Sequence, residues 1–169
     1  MSEPIDIPSI IEKIRKNNSE LTILDFSLKK LGEVGGAAVA CTLEMNTTLT
    51  VLDLSSNKLG EISGVAIARA LERNHTLTSL SLGYNRFGEA GLVAIASALK
   101  RNTTLTSLNL RNNRLGELSY RVIASALNRN TTLTTLDLSG NYIGYPDDLE
   151  EGSYIVFAGA LERNTTLTT

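Results

Sequence analysis

The sequence predicts an α/β solenoid, a stack of strand-turn-helix units, on three observations. Leu21, Leu49, Leu77, Leu105 and Leu133 open near-identical copies at a spacing of 28 residues. Within a copy the leucines fall at strand spacing, as in Leu77-x-x-Leu80-x-Leu82, where the last two are two residues apart. A helical face follows, Ala94-Ile95-x-x-Ala98-Leu99, apolar at i, i+1, i+4 and i+5. Units of this kind cannot bury their apolar faces alone, so they are expected to stack.

From the N-terminus, residues 1–20 are expected to hold a lone capping helix that shields the first strand. Its apolar positions are Ile10, Ile11 and Ile14, and Ser9 with Glu12 has the spacing of a capping box. The repeats then occupy 21–169, as copies 21–48, 49–76, 77–104, 105–132 and 133–166, with a sixth beginning at 167. Strands are expected near residues 21, 49, 77, 105 and 133, each followed by a helix on the opposite face. The glycine column Gly32, Gly60, Gly88, Gly116 and Gly144 suggests a turn with no room for a Cβ. Arg101 suits the end of a helix and Asn102 the left-handed residue beyond it. Tyr120 is expected on the convex helices. The stop at Leu167-Thr168-Thr169 leaves no polar end face, which reads as a cut through a longer array or as an apolar edge open to self-association or a partner.

The string Leu49-x-x-Leu52-x-Leu54-x-x-Asn57-x-Leu59 resembles the leucine-rich-repeat signature, and the 28-residue period with a full helix resembles the ribonuclease-inhibitor-like subclass. The resemblance covers residues 21–166. It implies a horseshoe with a concave parallel sheet and convex helices. It also implies a buried ladder of asparagines, Asn57, Asn85, Asn113 and Asn141, beginning only at the second copy because the first has Lys29. The threonine-rich, cysteine-poor copies look similar to leucine-rich-repeat effectors that intracellular bacteria deliver into host cells.

Composition narrows the function. The net charge is -2 with evenly spread basic residues, so no nucleic-acid footprint is expected. No apolar run reaches membrane-spanning length, and the acidic N-terminus is unlike a signal peptide. One cysteine, Cys41, allows no internal disulfide and suits the cytosol, that of a host cell if the chain is an effector. Asn-x-Ser/Thr sequons recur in each copy, read here as turns rather than glycosylation sites. A single histidine, His75, offers no recurring general base, and one His with one Cys cannot build a typical zinc site. No phosphate loop or EF-hand spacing is present, so the chain is expected to be no enzyme and to need no cofactor.

What remains is surface. The outward strand positions form three columns of mostly small or acidic residues, among them Asn109, Asp137 and Arg111. The loops beside them carry Tyr84 and Tyr142, plus a cationic column, Lys58, Arg86 and Arg114, three residues before Glu61, Glu89 and Glu117. These charges are expected to form a mostly solvated, self-compensating edge, in which any inter-repeat ion pair contributes only about 0–1 kcal/mol. The fifth copy is six residues longer than the others, and its insertion at 145–152 carries Tyr145, Asp147 and Asp148. Insertions in repeats often mark the binding side, and aromatic rings are frequent anchors. The expected function is a non-catalytic module that binds a folded protein through Tyr84, Asn109, Arg111, Asp137, Tyr142, Tyr145, Asp147 and Asp148, acting as an inhibitor or effector. The alternatives are a GTPase regulator resembling the Ran activator, and the repeat region of a larger innate-immune-type receptor.

Overall fold

Alternation of apolar and small polar residues makes a short strand in each copy: β1 Ile23–Asp25, β2 Val51–Asp53, β3 Ser79–Ser81, β4 Ser107–Asn109 and β5 Thr135–Asp137. The structure, a computed structural model, describes residues 6–141 and 151–168, with side chains for all but 151–154. The strands form one parallel sheet in sequence order. Ile23 pairs with Val51, Val51 with Ser79, Ser79 with Ser107 and Ser107 with Thr135, so the register follows the 28-residue period. The helices are α1 Ile7–Arg15, α2 Gly32–Leu43, α3 Gly60–Arg73, α4 Gly88–Leu99, α5 Glu117–Leu127 and α6 Glu151–Arg163. Among the described residues each helix packs on the next and each strand pairs with the next. That nearest-neighbour pattern defines a linear array.

The strands begin two residues later than the opening leucines. The reason is a competing hydrogen bond: the amides of Leu49, Leu77, Leu105 and Leu133 donate to the side chains of Asn46, Asn74, Asn102 and Asn130, at 2.7–2.8 Å. The leucines are buried there, but the inter-strand ladder starts one residue on, at Thr50 N–H to the Thr22 carbonyl (2.8 Å).

Between sheet and helices the core is one continuous cluster that includes Leu52, Leu54, Leu80, Leu82, Leu108, Leu110, Ile67, Ile95 and Ile123. Phe26 and Phe87 fill leucine slots and are fully buried. Tyr120 lies on α5, among the helices as expected, but it is not a surface residue. It is only 8% exposed and meets the Phe157 ring edge-on at 5.4 Å. Gly36, Gly64 and Leu92 occupy the same place in earlier copies, and all are buried. This column faces the neighbouring helix, and its residue size sets the helix spacing.

At Gly64 the nearest neighbour is backbone, since an added Cβ would lie 2.9 Å from the Gly91 Cα and 3.0 Å from Phe87 Cδ1. Backbone cannot yield as a flexible side chain can. Gly64→Ala is therefore expected to cost about 1–3 kcal/mol through overpacking. The exposed neighbour Val65→Ala should stay within about 0.5 kcal/mol. Urea denaturation of both variants checks this; equal midpoints would show that α3 and α4 can move apart freely.

Two asparagine ladders run through the array. The first begins at Asn57, as expected. Its Oδ1 accepts from the amides of Lys29 (2.9 Å) and Leu31 (3.3 Å), while Nδ2 donates to the carbonyls of Phe26 and Leu54 at 2.7 and 3.0 Å. Asn85, Asn113 and Asn141 repeat the arrangement.

The second ladder replaces the left-handed turn expected at Asn102. Asn74 closes α3 with an extended backbone (φ -79°, ψ 127°), and Asn102 is likewise absent from the left-handed residues. The Asn102 amide nitrogen donates to the Leu71 carbonyl (2.8 Å), and its oxygen accepts from Leu105 N–H (2.8 Å). Asn46, Asn74, Asn130 and Asn164 do the same against the preceding copy. Five sequon asparagines are thus buried or half-buried structural rungs in place of the left-handed turn, while the sixth, Asn17, takes the expected left-handed conformation at φ 51°.

The glycine column needs a finer account than lack of room. Gly32, Gly60 and Gly88 have φ of +62°, +68° and +65°, and at Gly32 a Cβ would meet nothing, so conformation is the common demand. Gly116 departs, with φ -94° and ψ -179°; there the Glu89 carboxylate fills the Cβ space.

At the N-terminus the capping box does not form. Asp6 is the cap, accepting from Ser9 N–H at 3.4 Å, and the helix already starts at Ile7 with Pro8 in its first turn. Proline suits that position because its missing N–H would have had no helical partner. Glu12 turns to Arg15 (2.7 Å) and Lys16 (3.3 Å) instead. Arg15 above all holds the Glu12 carboxyl down to about 2. The pairing is therefore complete above the ordinary value of 4.5 and is lost as pH falls through about 2. Ile14 is buried, and its carbonyl accepts from Asn46 Nδ2 at 2.8 Å.

Candidate protein-binding edge

Each strand leaves the sheet through a turn made by its own polar side chain. Asp25, Asp53, Asn109 and Asp137 accept, through Oδ1, from the amide two residues ahead, at 2.7, 2.7, 2.9 and 2.8 Å. Ser81 breaks the column, and its hydroxyl shares a hydrogen bond with Ser55 (2.7 Å). The Ser139 hydroxyl and N–H hold the Asp137 carboxyl below its ordinary value, with a smaller contribution from Arg111. Asn109 and Asp137 thus already have structural work; both remain half-buried on the sheet face.

Beyond the turn the backbone takes left-handed steps at alternate residues, and they are not reserved for glycine. Leu28, Ser56, Tyr84 and Asn112 have φ between 52° and 59°, and Gly140 holds the equivalent place at 65°. Lys30, Lys58, Arg86 and Arg114 follow at 56–62°. For a bulky residue such as Tyr84 this conformation costs about 1–2 kcal/mol, so its ring is displayed at a stability penalty.

That ring is half exposed, at 50%, and held by its neighbours. Arg111 Nε donates to the Tyr84 hydroxyl at 3.1 Å. With the Asn112 amide nitrogen turned to the Gly140 carbonyl (2.9 Å), its oxygen accepts from the Tyr84 hydroxyl (3.1 Å) and Arg111 Nε (3.3 Å). Tyr84, Arg111 and Asn112 therefore form one hydrogen-bonded cluster spanning two copies. Asn109 joins it through the Arg111 amide, and Asp137 stands beside it in the paired strand.

Of the residues expected at the site, the fold brings together Tyr84, Asn109, Arg111 and Asp137. Tyr142, Tyr145, Asp147 and Asp148 lie outside the described residues. Asn112 is the addition: its neighbourhood to Tyr84 depends on left-handed turns that residue spacing does not reveal.

Among the described residues no ion pair joins the two charged columns on this edge. Among the described residues the pairs lie on the helices, Arg73–Glu44 (2.7 Å) and Arg101–Glu72 (3.2 Å) bridging copies. Glu89 instead accepts from the amides of Leu118 (2.9 Å) and Ser119 (3.4 Å), so it caps the next helix. Helix N-termini carry unsatisfied N–H groups and favour a carboxylate more than a solvated surface cation does. The cations are left lining an open groove of about 380 Å³ with Ser56, Tyr84, Asn112 and Gly140.

No group of three or more His, Cys, Asp or Glu that could hold a metal comes together among the described residues. None of the described helices is long and apolar enough to cross a membrane. Cys41 is exposed, on the outer helix face where the repeat alignment puts it.

Known proteins share this architecture. A Leucine Rich repeat family model matches residues 46–68, 73–96, 101–117 and 129–146. A solved structure of the Leiomodin-1 Actin-Binding Site 2 is similar, at 28% identity and a TM-score of 0.78, over 95% of this chain and 90% of that one. The tropomodulin C-terminal domain of Caenorhabditis elegans has a TM-score of 0.76 at 15% identity, over 95% of this chain and 93% of that one, and shows the fold alone. No curated protein sequence matches the chain. With the family signature recurring along the chain and a parallel strand and helix in each copy, the chain belongs to the leucine-rich-repeat proteins.

Proposed function

We propose that the chain is a non-catalytic protein-binding module that meets a folded partner with its sheet face and the adjoining loop edge. The observation that carries this is Tyr84, a half-exposed aromatic ring in a left-handed conformation, fixed by Arg111. Every described copy shares the left-handed backbone at this position, so what points to a use is the exposed ring held by a cation, and Tyr with Arg is a frequent anchor pair. Asn109 and Asp137 adjoin it, and Tyr142, Tyr145, Asp147 and Asp148 follow in the sequence. A face of this breadth suits blocking of a partner's surface, the mode of an inhibitor or effector. The similar Leiomodin-1 structure bears the name of an actin-binding site, so actin is the first partner to test.

The test compares Tyr84→Gly, Arg111→Ala and the convex variant Ile62→Ala in binding to purified actin. Glycine suits the conformation of residue 84, so Tyr84→Gly removes the ring without adding strain. Tyr84→Gly and Arg111→Ala are each expected to cost about 2 kcal/mol of affinity, and Ile62→Ala close to none. Loss confined to Ile62→Ala moves the contact to the helices and ends this reading. No binding to actin in any form rejects actin as the partner.

A further inference from the structure

Beside the Tyr84 cluster, the open groove on the loop edge has a charge arrangement of its own. Lys58, Arg86 and Arg114 line it, one from each of three successive copies. Their left-handed backbones, φ 56°, 58° and 62°, give all three the same outward orientation. The paired strands fix the spacing between them, about 4.8 Å per copy. The carboxylates of the same edge are diverted: Glu33 and Glu61 fill the space beside Gly60 and Gly88, and Glu89 caps α5. No ion pair among the described residues involves the three cations.

We infer that this groove binds a short, extended acidic segment of a protein partner, its carboxylates set against Lys58, Arg86 and Arg114. The row of cations spans about 10 Å, which three to four residues of extended chain cover at about 3.3 Å each. Tyr84 at the groove adds an aromatic surface, held in place by Asn112. A long polyanion fits less well. Asp25, Asp53 and Asp137 stand in a column on the sheet face, and the whole chain is net negative at -2. Acidic flanks of this kind repel a nucleic-acid backbone while leaving room for a few carboxylates.

The inference deepens the binding reading above but is tested apart from it, with a fluorescein-labelled hexaglutamate peptide and no folded partner. Fluorescence anisotropy at about 20 mM salt should show binding that weakens as salt is raised. Each of Lys58→Gln, Arg86→Gln and Arg114→Gln should weaken it about two- to fivefold, as expected for exposed charge pairs, and the triple variant by about tenfold or more. Arg121→Gln, on α5 outside the groove, should leave it unchanged. The cations are exposed, so the fold tolerates these changes. Absence of binding, equal binding of a glycine-serine peptide, equal loss in Arg121→Gln, or tighter binding of an oligothymidylate of equal charge would each overturn the inference. Actin binding that depends on Tyr84 while hexaglutamate does not bind removes only the groove; the converse removes only the actin reading.

Discussion

Asn85→Ala is expected to destabilise the array by about 3–5 kcal/mol, an effect far above that of an ordinary polar substitution. The Asn85 side chain is 0% exposed and makes hydrogen bonds in two directions. Its Nδ2 donates to the carbonyls of Leu54, Leu82 and Gly83 at 2.8, 2.9 and 3.2 Å. Those three lose little on truncation. Leu54 and Leu82 keep bonds from Asn57 and Asn113, and Gly83 keeps the Ser56 amide.

The cost falls on the donors. The amides of Asn57 (2.9 Å) and Leu59 (3.4 Å) point at Asn85 Oδ1 in the buried interior, and each orphaned N–H costs about 1–3 kcal/mol. Asn85→Asp separates the two halves of the role. It keeps the acceptor but aims its second carboxylate oxygen at carbonyls, which raises its pKa. A raised pKa in the folded state means the charge opposes folding above that value. Asn85→Asp is therefore expected to be the less stable variant at neutral pH and to regain stability relative to Asn85→Ala as pH falls and the carboxyl protonates. Denaturation curves at pH 7 and pH 4 decide it. A loss under about 1 kcal/mol for Asn85→Ala would show that water replaces the side chain and that the ladder is not a dry structure.

The same ladder shows where reading the sequence succeeds. Periodic features were transparent, because each copy votes for the same structure. The leucine spacing yielded a parallel sheet in register, and Lys29 at the first rung placed the start of the ladder at Asn57. Errors arose where a residue type serves two geometries. Asn102 suits a left-handed helix end as well as a side-chain rung, and only the carbonyl of Leu71, one copy back, decides between them. Tyr120 sits on a helix as expected, but its burial follows from its column, Gly36, Gly64 and Leu92, the small and apolar members of a helix contact. The candidate site was half readable. Tyr84 and Arg111 stand out by chemistry, but their contact across 27 residues depends on left-handed turns at non-glycine positions. Glutamates three residues from cations suggest a self-compensating edge, yet Glu89 caps α5, because helix amides one copy ahead are the stronger partner.

Leu82→Ala is expected to cost about 3–5 kcal/mol, the upper part of the range for such truncations. Leu82 is 0% exposed and lies in one column with Leu54 and Leu110, so its neighbours on both sides are copies of itself. The size of the loss depends on whether the surroundings can close over the cavity. Here they are held: the Leu82 amide donates to the Asn109 carbonyl (2.8 Å), and its own carbonyl takes bonds from both Asn85 and Asn113 (2.9 Å each). A backbone fixed by three bonds leaves the void open. Leu138→Ala provides the contrast, because this residue of the same column is only half-buried and should cost about 1–2 kcal/mol. Position in the array sharpens the difference. Leu82 lies in the third copy and supports the interfaces on both of its sides, and a linear array is only as cooperative as its weakest interface. Hydrogen exchange in Leu82→Ala should therefore show protection lost across β3 and α4 together, and in β4 and α5 beside them, with a reduced denaturant slope as the array begins to unfold in parts. If Leu82→Ala and Leu138→Ala were equally destabilising, with exchange altered only at the substituted strand, the copies would be stabilised individually rather than by stacking on one another.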